Sequence, residues 1–479
     1  MTRARIAPVV ILLGLFATTL RADQDEPRPV GMRTTDWESP DFSGRQAGVT
    51  ALSADYMQFL TANKTEREVA AAAIRLAGER GFTPAAERGP VALRAGEKRL
   101  FSAHGKIVAL VVGGNRPVAE GVRVVAAHID SVRIDLKPNP VYQDANLGLL
   151  QTHYYGGIKP YQWLSTPLEL RGVVVKPDGR VIDVRIGDEP TDPVLVIPDL
   201  LVHLSDRADR REGEQVEAES LDAIAGHVPS ARGTSTERFR QSVLDVLKSQ
   251  YDIDPEDLAS AELQLVPAGG ARDVGLDRGL VGGYGQDDRA CTYAALRAIL
   301  DVGTPEHTAI VWLVDKEEIG STGNTGARST FLSTVVGRLL SAQGRRTEHD
   351  LREALALSQG LSADVTNGAH PQYPEVIERR NAFYLGSGVA MDQSGAHAEF
   401  MRRIWDLLRT ERVPFQTGEW ARVTDSRSEY GTVLPFLTQL GMNAMDLSIP
   451  LLSMHAPFEV VSKVDLHAGY RAYKAFLER

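Results

Sequence analysis

Cysteine is almost missing from this chain: Cys291 stands alone among 479 residues. That excludes an intrachain disulfide and any cysteine-built zinc site. Positive charge is in deficit, with 53 Lys and Arg against 63 Asp and Glu and a formal net charge of −10. Such a balance argues against nucleic acid or an anionic membrane as the natural partner. Internal repeats and low-complexity tracts are also absent. One long apolar run stands out, Ile6–Leu20, and it is too short for a comfortable membrane span. It follows a basic Met1–Arg5 and precedes an acidic, proline-bearing Asp23–Pro29. This is the layout of a secretory signal peptide over residues 1–22, ending at Ala22, with a linker over 23–50. With no cysteine nearby, a lipoprotein anchor is excluded. The mature protein is expected in a bacterial periplasm, without stable membrane insertion.

What is present is a chain long enough for two or three domains and a large core. Its organising stretch is Thr308–Gly323, T-A-I-V-W-L-V-D-K-E-E-I-G-S-T-G. Thr308–Val314 is the β-branched, apolar run of a strand buried on both faces. It breaks abruptly into Asp315, Lys316, Glu317 and Glu318, and Gly320 and Gly323 turn the chain away. In open α/β sheets ligands bind beyond the carboxyl ends of strands. Adjacent carboxylates there suggest one that holds a cation and one that handles protons.

Other stretches repeat the theme. Ser53–Gly81 reads as helical, and Ile107–Val112 and Val122–Ala127 as strands. The second strand ends in His128, Ile129, Asp130 and Ser131. From about 150 the texture becomes β-rich: Leu168–Val175 and Val181–Ile186 flank the turn K-P-D-G-R. A charged helix over Ser235–Tyr251 and a strand at Glu262–Val266 follow. These features predict a domain at 151–270 inserted into a first domain made of 51–150 and 271–479. Gly282–Leu300 then carries a glycine-rich loop into an Ala/Leu-rich helix, with Asp287 and Asp288 at its start. Helix N-termini favour acids, so capping is the plainer account of that pair. Asp364 and His370 fall in a strand-then-loop stretch, and His455 follows a last strand, Met442–Ile449.

His128, Asp287, Glu318, Asp364 and His455 thus share one description, a strand end or loop carrying a coordinating side chain. Any one alone has an ordinary explanation. Together, two imidazoles and three carboxylates are the mixture expected for a pair of divalent first-row metals, zinc foremost. Two such cations can share a carboxylate and a water. Glu317 is then placed to take the water's proton, and Asp130 to orient His128.

These motifs resemble those of the aspartyl aminopeptidase family of dinuclear zinc metallopeptidases. H-I-D-S at His128–Ser131 with L-K-P at Leu136–Pro138, and E-E-I-G-S at Glu317–Ser321, are similar to the family's patterns. So are D-V-T-N-G-A-H-P-Q-Y from Asp364 and S-M-H-A at Ser453–Ala456. Lesser matches are Y-G-G…W at Tyr155–Trp163, P-x-L-x-x-H-L at Pro198–Leu204, V-P-F-Q at Val413–Gln416 and G-T at Gly431–Thr432. The resemblance implies an α/β, three-layer catalytic domain with a mixed β-sheet flanked by helices, plus an inserted β-rich assembly domain. It implies two Zn2+ per subunit, with Co2+ or Mn2+ as alternatives. His128 and Asp364 would serve one ion, Glu318 and His455 the other, with Asp287 bridging. Glu317 would be general base and acid, and Asp130 a catalytic acid behind the ligands. His203 would contact substrate in a neighbouring subunit of a dimer-based homo-oligomer, in the family typically a dodecamer.

The implied reaction is removal of the N-terminal residue from short peptides. Where the family has a lysine for an acidic substrate side chain, this chain aligns Asp392, so a basic or neutral N-terminal residue is expected instead. One other reading keeps the metals and changes the substrate, a carboxypeptidase or N-acyl amidohydrolase; another, an inactive binding or assembly homologue, predicts loss of a ligand or of the base, and none is missing.

Overall fold

The computed structural model describes residues 35–205, 216–232, 236–392, 396–419 and 431–479. Four parallel strands form the middle of a thirteen-stranded mixed sheet, in the order Thr308–Val314, Val122–His128, Gln359–Ser362, Asn443–Leu452. Antiparallel strands flank them: Ile107–Val112 and Lys98–Ala103 on one side, Glu459–Ser462 and Leu280–Gly283 on the other. Alternate residues of Thr308–Val314 enter different cores. Ala309, Val311 and Leu313 pack with the helices Phe42–Ala62, Glu66–Glu79, Gln286–Asp301, Ala398–Thr410 and Lys463–Glu478. Ile310, Trp312 and Val314 pack with Phe331–Ala342, Glu348–Ala356 and Leu434–Gln439. Burial on both faces is why the strand is apolar without alternation. The catalytic half is therefore a three-layer α/β/α unit.

A second sheet of six antiparallel strands lies beside it, in the order Val181–Ile186, Leu168–Val175, Glu262–Pro267, Arg133–Asp144, Leu147–Tyr155, Ala223–Gly226. The helix Arg238–Tyr251 contributes Val243, Leu244 and Leu247 to its core. The sheet begins at Arg133, ahead of the 151 expected from sequence. The register shift between Leu136 and Val141, with Pro138 and Pro140 inside it, hides the two-residue period of the Arg133–Asp144 strand. The two units meet over buried charge. Lys64 donates to the carbonyls of Pro267 (2.8 Å) and Gly269 (2.7 Å) and pairs with Glu169, while Arg171 pairs with Glu68 at 2.9 Å.

Two further expectations change. The 23–50 linker does not extend to 50, because Phe42 opens a helix that runs to Ala62 and Asp36 is buried against Arg45. Residues 23–34, and the signal peptide expected at 1–22, lie outside the described residues. The helical stretch Ser53–Gly81 is two helices, broken where Thr65 and Glu68 form a capping box. Among the described residues no helix is long and apolar enough to cross a membrane.

Candidate active site

Register brings the sheet's middle strands to a common end. Val314 lies beside His128 and Ala126 beside Ser362, so the chain leaving each strand delivers His128, Glu317–Glu318 and Asp364 to one place. His455 arrives from the turn after Leu452, and Asp287 from the start of the helix Gln286–Asp301, before its backbone has become helical (φ −82°, ψ 107°). His455 and Ser453 both hold left-handed φ angles (65° and 62°), as do Lys316 and Ser321 around the glutamates (68° and 59°). Non-glycine residues in that region gather where surrounding structure imposes a functional geometry.

Asp287 lies between the two histidines. Its Oδ1 is 3.1 Å from His128 Nε2 and its Oδ2 is 3.1 Å from His455 Nε2. Asp364 Oδ1 lies 3.6 Å from His128 Nε2, and Glu318 Oε2 lies 3.3 Å from His455 Nε2. The other ring nitrogens are committed: His128 Nδ1 to the Asp130 carbonyl (3.0 Å) and His455 Nδ1 to the Gly157 carbonyl (2.7 Å). A carbonyl only accepts, so each Nδ1 carries a hydrogen, and Nε2 of each ring is the nitrogen turned toward the carboxylates. Nε2 and the carboxylate oxygens can stand this close only with positive charge between them, a ring proton or a metal cation that replaces it.

The electrostatics say the same. Burial opposes charge on both imidazoles, yet Asp287 and Glu318 raise His455 to about 10, and Asp364, Asp130 and Asp287 raise His128 well above its ordinary value. Burial pushes Glu318 and Asp364 upward. For Asp287 it is outweighed by the two histidines, which hold that carboxyl below the usual range. Glu318 Oε1 and Asp288 Oδ1 are buried without a hydrogen-bond partner. Such an acceptor-only set fits two divalent cations, one on each side of Asp287.

Asp130 and Glu317 stand behind and beside this set. Asp130 accepts the amides of Glu317 (3.1 Å) and Glu318 (3.2 Å) and the Tyr155 hydroxyl (2.8 Å), and its Oδ1 lies 3.4 Å from His128 Nδ1. Burial, then the charges of Asp364, Asp130 and Asp287 working against His128, lift Glu317 to about 8. Gly431 backs this carboxylate so closely that a Cβ there would stand 2.7 Å from Glu317 Oε1.

The sequence matches the model of the aminopeptidase I zinc metalloprotease family, M18, over residues 59–477. A probable M18 family aminopeptidase 1 of Clostridium acetobutylicum is 39% identical over 443 residues, covering 90% of this chain and 95% of its own. The crystal structure of an M18 aminopeptidase from Thermotoga maritima superposes with a TM-score of 0.86 at 39% identity, covering 93% of this chain and 99% of that one. The S. cerevisiae mApe1 dodecamer shares the fold at 23% identity and a TM-score of 0.73, covering 89% and 96%. This chain belongs to the M18 family. It is a metal-dependent aminopeptidase, a zinc metalloprotease of the three-layer kind described above.

Two candidate groups of ligands appear in this M18 centre: His128 with Asp288 and Asp364, and Asp287 with Glu318 and His455. Asp288, which looks from sequence like a helix cap, is thus drawn to the first group, and its Oδ2 accepts the His128 amide at 3.3 Å. Glu459 is equally hidden in the sequence. Buried beneath the centre, it accepts the amides of Asp287 (3.1 Å) and His455 (2.8 Å). Its strand, Glu459–Ser462, carries no motif, and pairing with Leu280–Gly283 on one side, where Glu459 lies beside Gly283, and with Asn443–Leu452 on the other brings it there. Asp446 is the third such residue, raised to about 7 by burial and by the charges of Asp364 and Asp392. Asp392, half-buried at the end of Val389–Asp392, runs antiparallel beside it. His203 is not brought to the cluster within this chain; it is exposed in the short helix Val202–Ser205 of the second-sheet unit.

Proposed function

We propose that this M18 enzyme removes the N-terminal residue from short peptides, using two divalent cations, zinc foremost, held on either side of Asp287. The observation that carries this reading is the Asp287 carboxylate spanning two imidazoles whose Nδ1 atoms are held by carbonyls, which leaves both Nε2 atoms free for a cation. His128 and Asp364, with Asp288 close by, would hold one ion, and His455 and Glu318 the other. Bound there, the cations would polarise the scissile carbonyl and acidify a water between them. Glu317 takes the proton of the attacking water and returns it to the leaving amine. Asp130 keeps the Glu317 and Glu318 amides and the His128 ring in place. Metal analysis with turnover on Leu-p-nitroanilide, free and N-acetylated, tests the reading. About two zinc ions per subunit and a need for the free amine are expected; equal hydrolysis of the acetylated substrate would refute it.

Asp392 beside Asp446 supports a preference for basic or neutral N-terminal residues over acidic ones. Lys-, Leu- and Asp-p-nitroanilides measure it, and a clear Asp preference would end it. The exposed Leu200, Leu201 and Leu204 around His203 support a homo-oligomer assembled through the second-sheet unit, with His203 reaching a neighbour's site. Sedimentation of the full chain decides the assembly, and activity recovered on mixing His203→Ala with Glu317→Gln subunits decides the reach. Residues 1–22 support export to the periplasm, which N-terminal sequencing of the protein from cell fractions checks.

A further inference from the structure

Tyr155, Gly156 and Gly157 close the second sheet's strand Leu147–Tyr155, and each reaches a different part of the centre. The Tyr155 hydroxyl donates to Asp130 Oδ2 at 2.8 Å. At Gly156 (φ 76°) an added Cβ would stand 2.7 Å from Val132 Cγ1 and within 3.2 and 3.3 Å of Glu318 Cβ and Oε2. Bare backbone therefore lies against Glu318, in a conformation that side chains resist. The Gly157 carbonyl accepts from His455 Nδ1 at 2.7 Å. The turn is itself braced. Arg133 lies 3.6 Å over the Tyr155 ring and is held by Asp135 (2.8 Å) and Glu66 (3.5 Å), while Tyr284 donates to the Val132 carbonyl at 2.8 Å.

We propose that this turn is the positioning device through which the β-rich unit sets the geometry of the catalytic centre. It touches the carboxylate that holds Glu317, one proposed ligand's side chain and the ring of another. The catalytic half alone thus lacks one of the groups that hold each of Asp130, Glu318 and His455. None of the three is itself a proposed ligand or the proposed base, so each acts through the residue it touches. The inference rests on the proposed roles of Asp130, Glu317, Glu318 and His455. Without the Tyr155 hydroxyl, Asp130 Oδ2 retains the longer Glu318 amide contact, and the carboxylate is free to rotate with the two amides it holds. Substrate binding is left alone while the base is displaced, which separates kcat from KM.

The test uses the full zinc-loaded chain and the variants Tyr155→Phe and Gly156→Ala. It reads kcat and KM on Leu-p-nitroanilide, zinc affinity by competition with a chromophoric chelator, and thermal unfolding. Tyr155→Phe is expected to lose about tenfold or more in kcat at nearly unchanged KM and zinc content, with Tm lowered by roughly 3–6 °C for the lost bond to a buried carboxylate. Gly156→Ala is expected to weaken one of the zinc sites by about tenfold or more, because Glu318 must move. Wild-type kcat in Tyr155→Phe, or an altered KM with kcat unchanged, would overturn the proposal. Wild-type zinc affinity in Gly156→Ala would do the same; should that variant not fold, Tyr155→Phe decides alone. An active Glu317→Gln enzyme would instead remove the base assignment, leaving the zinc-affinity measurement to judge the turn.

Discussion

Replacing Glu459 by glutamine changes one oxygen to an amide nitrogen beneath both proposed metal sites. Its carboxylate accepts the amides of Asp287 at 3.1 Å and His455 at 2.8 Å, so both partners are donors. Burial and the Asp287 charge lift this carboxyl to about 8, with the two amides pulling the other way. Glutamine has a single acceptor oxygen, and its NH2 would face a backbone N–H. Above about pH 8, where the carboxyl is ionised, one charge-assisted hydrogen bond is lost, worth about 1.5–3 kcal/mol, and a buried donor is left unmatched, costing a further ~1–3 kcal/mol. The expected destabilisation is ~2.5–6 kcal/mol, or roughly 5–12 °C in Tm at about 2 °C per kcal/mol for a large unit. The amides of Asp287 and His455 would separate from the mismatched NH2, shifting both proposed ligands, and displacements of about 1 Å near reacting groups cost on the order of a hundredfold in rate. Calorimetry of the metal-free protein, zinc titration and kcat on Leu-p-nitroanilide read the three effects separately. A Glu459→Gln protein with wild-type Tm and kcat would show that this carboxylate does not hold the two ligand backbones in place.

Glu317→Gln should lower kcat by about 10²–10⁴ while zinc stays bound, as expected of a lost proton carrier; loss of zinc with activity would make it a ligand instead. Asp287→Ala should release both ions at once, whereas Asp364→Ala should weaken one; metal analysis after gel filtration distinguishes them. Lys64→Met breaks the buried pair with Glu169 between the two units and should cost ~3–5 kcal/mol of stability without changing zinc affinity; an unaltered Tm would refute it. His467 is lowered to about 4, first by burial and then by Arg471 and Arg45. Its neutral form is favoured by folding, so this stability is complete above about pH 6.5 and is lost as pH falls toward 4, ~3 kcal/mol in all. Denaturant unfolding of His467→Gln across that range should lack the slope seen in the parent.

Much of the centre was legible from sequence because its residues sit where strands stop. A doubly buried strand such as Thr308–Val314 cannot carry charge, so Glu317 and Glu318 directly after it announce the sheet's end. His128 and Asp364 obey the same rule. The β-rich hairpin at Leu168–Val175 and Val181–Ile186 was equally plain, since its turn residues and its two-residue period are local. What tertiary structure alone decided is everything that depends on register and on contacts between distant segments. Glu459 lies in an unremarkable strand, and pairing with Leu280–Gly283 and Asn443–Leu452 places its carboxylate under two proposed ligands. Asp288 has the sequence signature of a cap, and its place beside His128 and Asp364 comes from the packing of its helix against the sheet. Tyr155–Gly157 belongs by sequence to the second unit and by contact to the first. Periodicity and turn chemistry act over a few residues and can be read from the chain; convergence of carboxylates on a common point is set by the whole sheet.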